Sequence, residues 1–249
     1  MAIEGNTRRV AALGGGLLLM AVLAAGCAPV FGQTVRGSGE IVEREIELGD
    51  VTEVRIGSAL NAQVIPGSEP SVTVRADDNV ADHIEVREEG RRVTARVERG
   101  IRLRGATVGI TVTLPSVTEI AASGAATVEL VEGLDHDALR LGSSGASTLR
   151  GTVEATRLGV TASGASDIDL AGSAEDIEAT ASGASEVDLR RLSVSGDGRV
   201  EASGASDVAV QVSGSLTARA SGASEVRYGG APRAVSTRAS GASSVEPSD

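Results

Sequence analysis

Tryptophan and lysine are absent from the 249-residue sequence, which has only one tyrosine, one phenylalanine and one cysteine. Each shortage excludes something. A chain with so few rings cannot build a thick aromatic-rich core, and it has almost no platforms on which a sugar ring could stack. With Cys27 alone, no disulfide framework, thiolate zinc site or cysteine nucleophile is available to the folded part. The apolar run from Val10 to Ala25 is shorter than the roughly 20 residues a membrane-spanning helix needs. All 23 basic residues are arginine against 34 acidic ones, a formal net charge of −11. That balance argues against nucleic acid and anionic lipid headgroups as partners, since both carry charge of the same sign. The lack of lysine reads as a GC-rich genome rather than a mechanism.

What is present is repetition. The word S-G-A-[SA] occurs seven times, with its glycines at Gly124, Gly145, Gly164, Gly183, Gly204, Gly222 and Gly241. A period near 20 is the signature of stacked coils, none of which can bury its own apolar face alone. Around Gly183 the residues Ile177, Ala179, Ala181, Ser185, Val187 and Leu189 share one parity, and Glu178, Thr180, Ser182, Ala184, Glu186 and Asp188 the other. Alternation with period two is a strand with one face in and one face out. The inward side chains shrink toward each central glycine and grow again, so each copy reads as strand, corner, strand, with Gly on the inside of the bend. The inward corner serines Ser147, Ser166, Ser185, Ser206, Ser224 and Ser243 then predict a hydroxyl ladder about 4.8 Å apart along the stack. The return loops are Ala171-Gly-Ser-Ala174, Ser195-Gly-Asp-Gly198 and Gly229-Gly-Ala-Pro232. One repeat per coil gives a two-sheet parallel β-solenoid, and two repeats per coil is the rival register.

Arg8-Arg9, the apolar run and Leu23-Ala-Ala-Gly-Cys27 read as a secretory signal ending at a small-residue cut. The pattern resembles a bacterial lipoprotein signal, in which Cys27 becomes the lipid-bearing first residue. The expected organisation is a signal peptide over 1–26 and a lipidated Cys27 with a flexible tether to 39. A strand-rich part over 40–115 and the seven-copy repeat over 116–246 follow, making 40–246 one continuous domain. Without the signal, which carries Glu4, Arg8 and Arg9, the net charge moves from −11 to −12. The address is the cell envelope, with the membrane reached only through the N-terminal lipid.

Residues 40–115 alternate over 41–48, 51–56, 62–65, 72–74, 84–86, 93–97 and 108–114, and Glu88-Glu-Gly-Arg91 is a hairpin turn. Here the chain resembles a family. Arg36-Gly-Ser-Gly39, Val64-Ile-Pro-Gly67 with Val72-Thr-Val74, Asp78-Asn79, Ile110-Thr-Val-Thr-Leu-Pro115, the serial corners and Tyr228-Gly-Gly-Ala-Pro232 occur in order over roughly residues 37–246. Together they resemble the bacterial head GIN domain, whose description is that of an autotransporter adhesin. The resemblance implies a right-handed, single-stranded, pectin-lyase-like parallel β-helix on a secreted or lipidated protein, and it brings no catalytic residues.

The outward positions form columns. Glu119 with Arg140, and Glu178 with Arg199, read as cross-coil ion pairs. Asp167, Glu186, Asp207 and Glu225 succeed one another in a single column, with Asp169 and Asp188 beside them. A like-charge ladder of this kind is relieved either by a hard cation such as calcium or by solvation of an acidic face, the plainer of the two. Asp135-His136-Asp137 falls in an inter-coil loop and His83 stands isolated on another, neither placed as a metal or acid–base site. The leading functional reading is a non-catalytic surface module, adhesive or scaffolding, that binds an envelope or surface ligand, with homo-oligomers left open. The alternatives are a polysaccharide lyase or hydrolase using Asp167, Asp169, Glu186 and Asp188, or a sensory accessory of the envelope.

Overall fold

The computed structural model describes residues 32–248, which belong to one compact unit. The signal segment and Cys27 lie outside the described residues. In chain order come β1 (Gln33–Arg36), β2 (Ile41–Glu47), β3 (Glu53–Ile56), β4 (Asn61–Pro66), β5 (Ser71–Asp77) and a one-turn helix α1 (Asp78–Ala81). After it run β6 (Ile84–Glu89), β7 (Arg92–Val97), β8 (Ile101–Arg104), β9 (Val108–Leu114) and β10 (Glu119–Ala122). The repeats supply β11 (Thr127–Gly145), β12 (Thr148–Gly164), β13 (Asp167–Ala181), β14 (Glu186–Val194) and β15 (Gly198–Ala202). The last are β16 (Asp207–Val212), β17 (Ser215–Gly222), β18 (Glu225–Gly229), β19 (Ala234–Gly241) and β20 (Ser244–Pro247).

Pairing settles the register at one repeat per coil. Thr127 lies beside Thr148, Thr148 beside Asp167, Asp167 beside Glu186, and so on to Ser244, all in parallel. The protein is an all-β parallel solenoid. The start of the chain joins the same stack, because β3 pairs with β10 and β4 with β11. Beyond them β7 lies on β3 and β9 on β4, so the first coil of the stack is not the first in the sequence. Antiparallel strands close that end: β5 pairs β9, β2 pairs β5 and β6 pairs β7. Capping of this kind covers the edge that a bare solenoid would leave open.

The core is thin and aliphatic. Leu149, Val160, Ile168, Leu170, Leu189 and Val210 are at most 1% exposed and alternate with outward polar residues, as the period-two pattern requires. The loop over 171–174 is instead part of β13, paired with β12, whereas 195–197 and 230–233 do break the strands. His136 also lies within a strand, β11, and not in a loop.

At the corners the alternation changes in a way parity does not capture. All seven glycines are exposed and adopt φ between 75° and 84°, the left-handed region that costs other L-residues about 1–2 kcal/mol. They are not on the inside of the bend. Ser182, Gly183 and Ala184 swing outward and Ser185 returns to the core at 3% exposure. The turned peptide lets the Ala184 N–H donate to the Gly164 carbonyl of the preceding coil at 2.7 Å, and Ala146, Ala165, Ala205 and Ala223 do the same. A side chain on Gly183 would stand 2.5 Å from that carbonyl oxygen. Glycine is therefore demanded by the backbone. The expected ladder of serine hydroxyls is replaced by a local clasp. Ser166 Oγ lies 2.9 Å from the Ser163 carbonyl and accepts from the Ser163 N–H at 3.1 Å, and Ser147 and Ser224 repeat the arrangement. The hydroxyls of Ser147, Ser166 and Ser224 also lie 3.0–3.2 Å from a backbone carbonyl of the preceding coil, so each buried hydroxyl is satisfied by backbone and not by the serine above or below it.

The tether is a further correction. Gln33–Arg36 is a strand, paired in parallel with β8, and the residues after it are pinned. Asp77, 2% exposed, accepts from the N–H groups of Gly39 and Thr107, each at 2.6 Å. Ser38 Oγ donates to Asp78 at 2.5 Å, and the Asn79 amide donates to the Arg36 carbonyl at 2.7 Å. Arg36-Gly-Ser-Gly39 and Asp78-Asn79 are thus two halves of one clasp.

Candidate functional site on the outer face

The acidic column is aligned but not gathered. Asp167, Glu186, Asp207 and Glu225 are successive register partners, yet among the described residues no three His, Cys, Asp or Glu side chains converge to hold a metal. Asp167, Glu186 and Asp207 are exposed to solvent, and arginines pair with Glu225 and with the neighbouring Asp169 and Asp188. Arg191 grips both oxygens of Asp169 at 2.7 and 2.8 Å, Arg190 reaches Asp188, and Arg227 reaches Glu225. The hydrogen bond from Arg190 holds the Asp188 carboxyl below its ordinary range, against the opposing pull of partial burial. A general acid of a glycosidase needs its pKa raised, and this one is lowered. Asp169 and Asp188 are thereby committed to ion pairs.

Of the two predicted cross-coil pairs, Glu178 and Arg199 approach to 3.7 Å. Arg199 also binds Glu201, which Arg219 approaches at 3.1 Å, and the two arginines hold the Glu201 carboxyl below its usual range. Glu119 lies in register with Arg140 but pairs with Arg55 at 3.4 Å. His83 is not isolated, since its Nδ1 lies 3.0 Å from Glu98 Oε2.

Along the sheet formed by the later part of β11 and β12, with β13, β15 and β17, runs an open groove of ≈ 510 Å³. Its walls carry Arg140, Arg157 and Arg199 against Asp176, Glu178 and Asp197. Gly159 sits in the column between Arg140 and Glu178 and leaves a notch, because no side chain rises there. The acidic wall is fixed by backbone donors. The Asp197 N–H donates to Asp176 at 2.8 Å, and the Ser215 N–H to Asp197 at 3.0 Å. The charged columns nearest the corner glycine do not reveal the groove. Arg157, Asp176, Asp197 and Ser215 stand at one common offset, seven residues before Gly164, Gly183, Gly204 and Gly222, and this second column was available in the sequence.

The crystal structure of a putative adhesin from Bacteroides fragilis superposes with a TM-score of 0.81 at 19% identity, over 86% of this chain and 100% of that one. A putative adhesin from Parabacteroides merdae gives 0.69 at 18%, over 87% and 99%. A protein from Parabacteroides distasonis named as a putative lipid binding protein gives 0.68 at 15%, over 87% and 100%. At such identities the likeness is one of fold. No curated protein matches the sequence. The family model described as "Putative auto-transporter adhesin, head GIN domain" matches residues 50–232, well over half of the chain, and the chain belongs to that family.

Proposed function

We propose that the chain is a non-catalytic binding module of the cell envelope, anchored through a lipid on Cys27, that lays an extended surface ligand along its solenoid. The adhesin character of the family and of its structural neighbours supports a surface role. The observation that carries the reading is the groove that crosses the coils at Gly159. It spans five strands, about 19 Å of solenoid axis at about 4.8 Å per coil. Its alternating arginines and carboxylates match a polar chain bearing both donors and acceptors. A rigid, repetitive face also binds without paying much ordering entropy. The pairing of Asp169 and Asp188 with arginine favours binding over hydrolysis.

The test uses Gly159→Tyr, whose side chain fills the notch from an open position. On an array of surface polysaccharides and matrix proteins the wild type retains ligands that the variant releases, at unchanged melting temperature. Equal retention by both overturns the groove. Products released from polygalacturonate by the wild type would establish an enzyme instead. Incorporation of labelled palmitate, lost in Cys27→Ala, tests the anchor separately.

A further inference from the structure

The corner of the first coil of the stack differs from all the others. There β7 and β9 are the two strands, and residues 98–107, with β8 inside them, replace the four-residue corner word. The enlarged connection stands away from the stack and leaves a cavity of ≈ 790 Å³ against the next coil. That coil has Ser58 and Ala59 at its corner, both with positive φ, 61° and 60°. Every corner in the repeats uses glycine for such a conformation, and non-glycine residues held there mark sites where the surroundings impose it.

By register, Ala59 is the counterpart of Ala146, Ala165 and Ala184. Those three N–H groups each donate to a glycine carbonyl in the preceding coil at 2.7 Å. At Ala59 that preceding corner has been moved aside, and among the described residues neither the Ser58 nor the Ala59 N–H has an acceptor. Successive N–H groups on a positive-φ turn form a concavity suited to an anion. Arg99 and Arg102 line the same cavity, are exposed, and form no ion pair among the described residues. The other charges facing it are spoken for: Arg96 binds Glu85 at 2.8 Å and Glu98 binds His83 at 3.0 Å. The remaining wall is aliphatic, from Leu60, Val97, Ile101, Leu103 and Val108.

We infer that this cavity is a binding site for an anionic amphiphile, a carboxylate or phosphate monoester on an aliphatic chain. The anion takes the free N–H groups and the two arginines, and the chain lies along the aliphatic wall. A volume of this size is within the usual range for small-molecule sites. The protein's overall negative charge does not oppose it, because at physiological salt the Debye length is about 8 Å and the cavity is lined by Arg96, Arg99 and Arg102 against the single carboxylate of Glu98. The site is separate from the groove, and its failure leaves the groove reading untouched.

The experiment uses the full chain in nanodiscs of uncharged lipid and an octanoate carrying a photoreactive diazirine at its tail, with labelled residues mapped by mass spectrometry. Label is expected on 58–61 and 96–108. Octanoate or octyl phosphate competes it away, whereas octanol and octyltrimethylammonium do not. Whichever of the two anions competes better assigns the headgroup to a free acid or to a phosphate ester. Arg99→Ser/Arg102→Ser, which changes only exposed side chains, is expected to lower labelling about tenfold at unchanged melting temperature, as loss of charge-assisted contacts does. Label elsewhere, equal labelling of the variant, or competition by octanol as strong as by octanoate overturns the site. Inorganic phosphate competing as well as octyl phosphate overturns the aliphatic part.

Discussion

Replacing Gly183 by alanine tests why the repeat word contains glycine. If the glycine were needed because the inside of a bend is crowded, one methyl group would cost little, since alanine already occupies the inward positions Ala179 and Ala181 four and two residues away. The structure gives a different reason. Gly183 has φ +81°, and a Cβ there would lie 2.5 Å from the Gly164 carbonyl oxygen and 3.0 Å from its nitrogen. The conformation alone costs alanine about 1–2 kcal/mol. Relieving the collision means moving backbone that carries the 2.7 Å bond from Ala184 to Gly164. Overpacking of this kind adds about 1–3 kcal/mol, so the total is about 2–5 kcal/mol.

Gly159→Ala is the matched control, in the same stack but in mid-strand. Its φ is not positive, and the nearest atom to an added Cβ is Arg140 Cγ at 3.6 Å. Removing glycine's extra freedom in the unfolded chain should make that variant neutral or stabilising by about 0.4–1 kcal/mol. Urea unfolding followed by circular dichroism reads both. In a unit of this length 1 kcal/mol corresponds to about 2–4 °C, so Gly183→Ala is expected to melt roughly 5–25 °C below Gly159→Ala. Midpoints for the two that agree within about 0.5 kcal/mol would falsify the backbone explanation and restore the crowding one.

Ala59→Gly, the reverse change at a strained non-glycine corner, is expected to raise stability by about 1 kcal/mol in the same assay; a loss would mean that the positive φ carries no strain. Asp77→Ala removes the acceptor shared by the Gly39 and Thr107 amides and is expected to cost about 2–4 kcal/mol, with hydrogen exchange accelerated at those two amides ahead of the core. The contribution of Asp188 is present above the ordinary carboxylate pKa of about 3.9 and is lost as pH falls through its depressed folded value, so Arg190→Ser should flatten the acid limb of stability against pH. Calcium and ionic-strength-matched sodium chloride should shift the melting temperature equally, because the carboxylates of the column are aligned without converging on one point, and Glu225 with the neighbouring Asp169 and Asp188 is paired with arginine; a calcium-specific rise would contradict this.

How far the sequence could be read depended on whether a feature was repeated. The inward column of Leu158, Ile177 and Leu216 and the outward column of Asp167, Glu186 and Asp207 recur once per coil. Seven copies of one word therefore averaged out local accidents, and the register in the structure follows them. Parity failed inside the corner word, because it assumes extended backbone and a residue with φ near +80° leaves that geometry. The serine that followed was correctly placed inward at Ser185, but its partner is its own turn at Ser182. Features that occur once had no such averaging. Strands β1 and β8, with four residues each, are too short for a periodic signal and exist because they pair with each other across 68 positions. The sequence shows Arg36-Gly-Ser-Gly39 and Asp78-Asn79 as family motifs, but not Asp77, the buried acceptor that joins them. The cavity under residues 98–107 is legible only from the pairing of β7 with β3 and β9 with β4. That pairing turns a hairpin-rich stretch into the opening coil of the stack. A corner word is missing there because ten residues span a turn that four span elsewhere, and the backbone donors below are left facing open space.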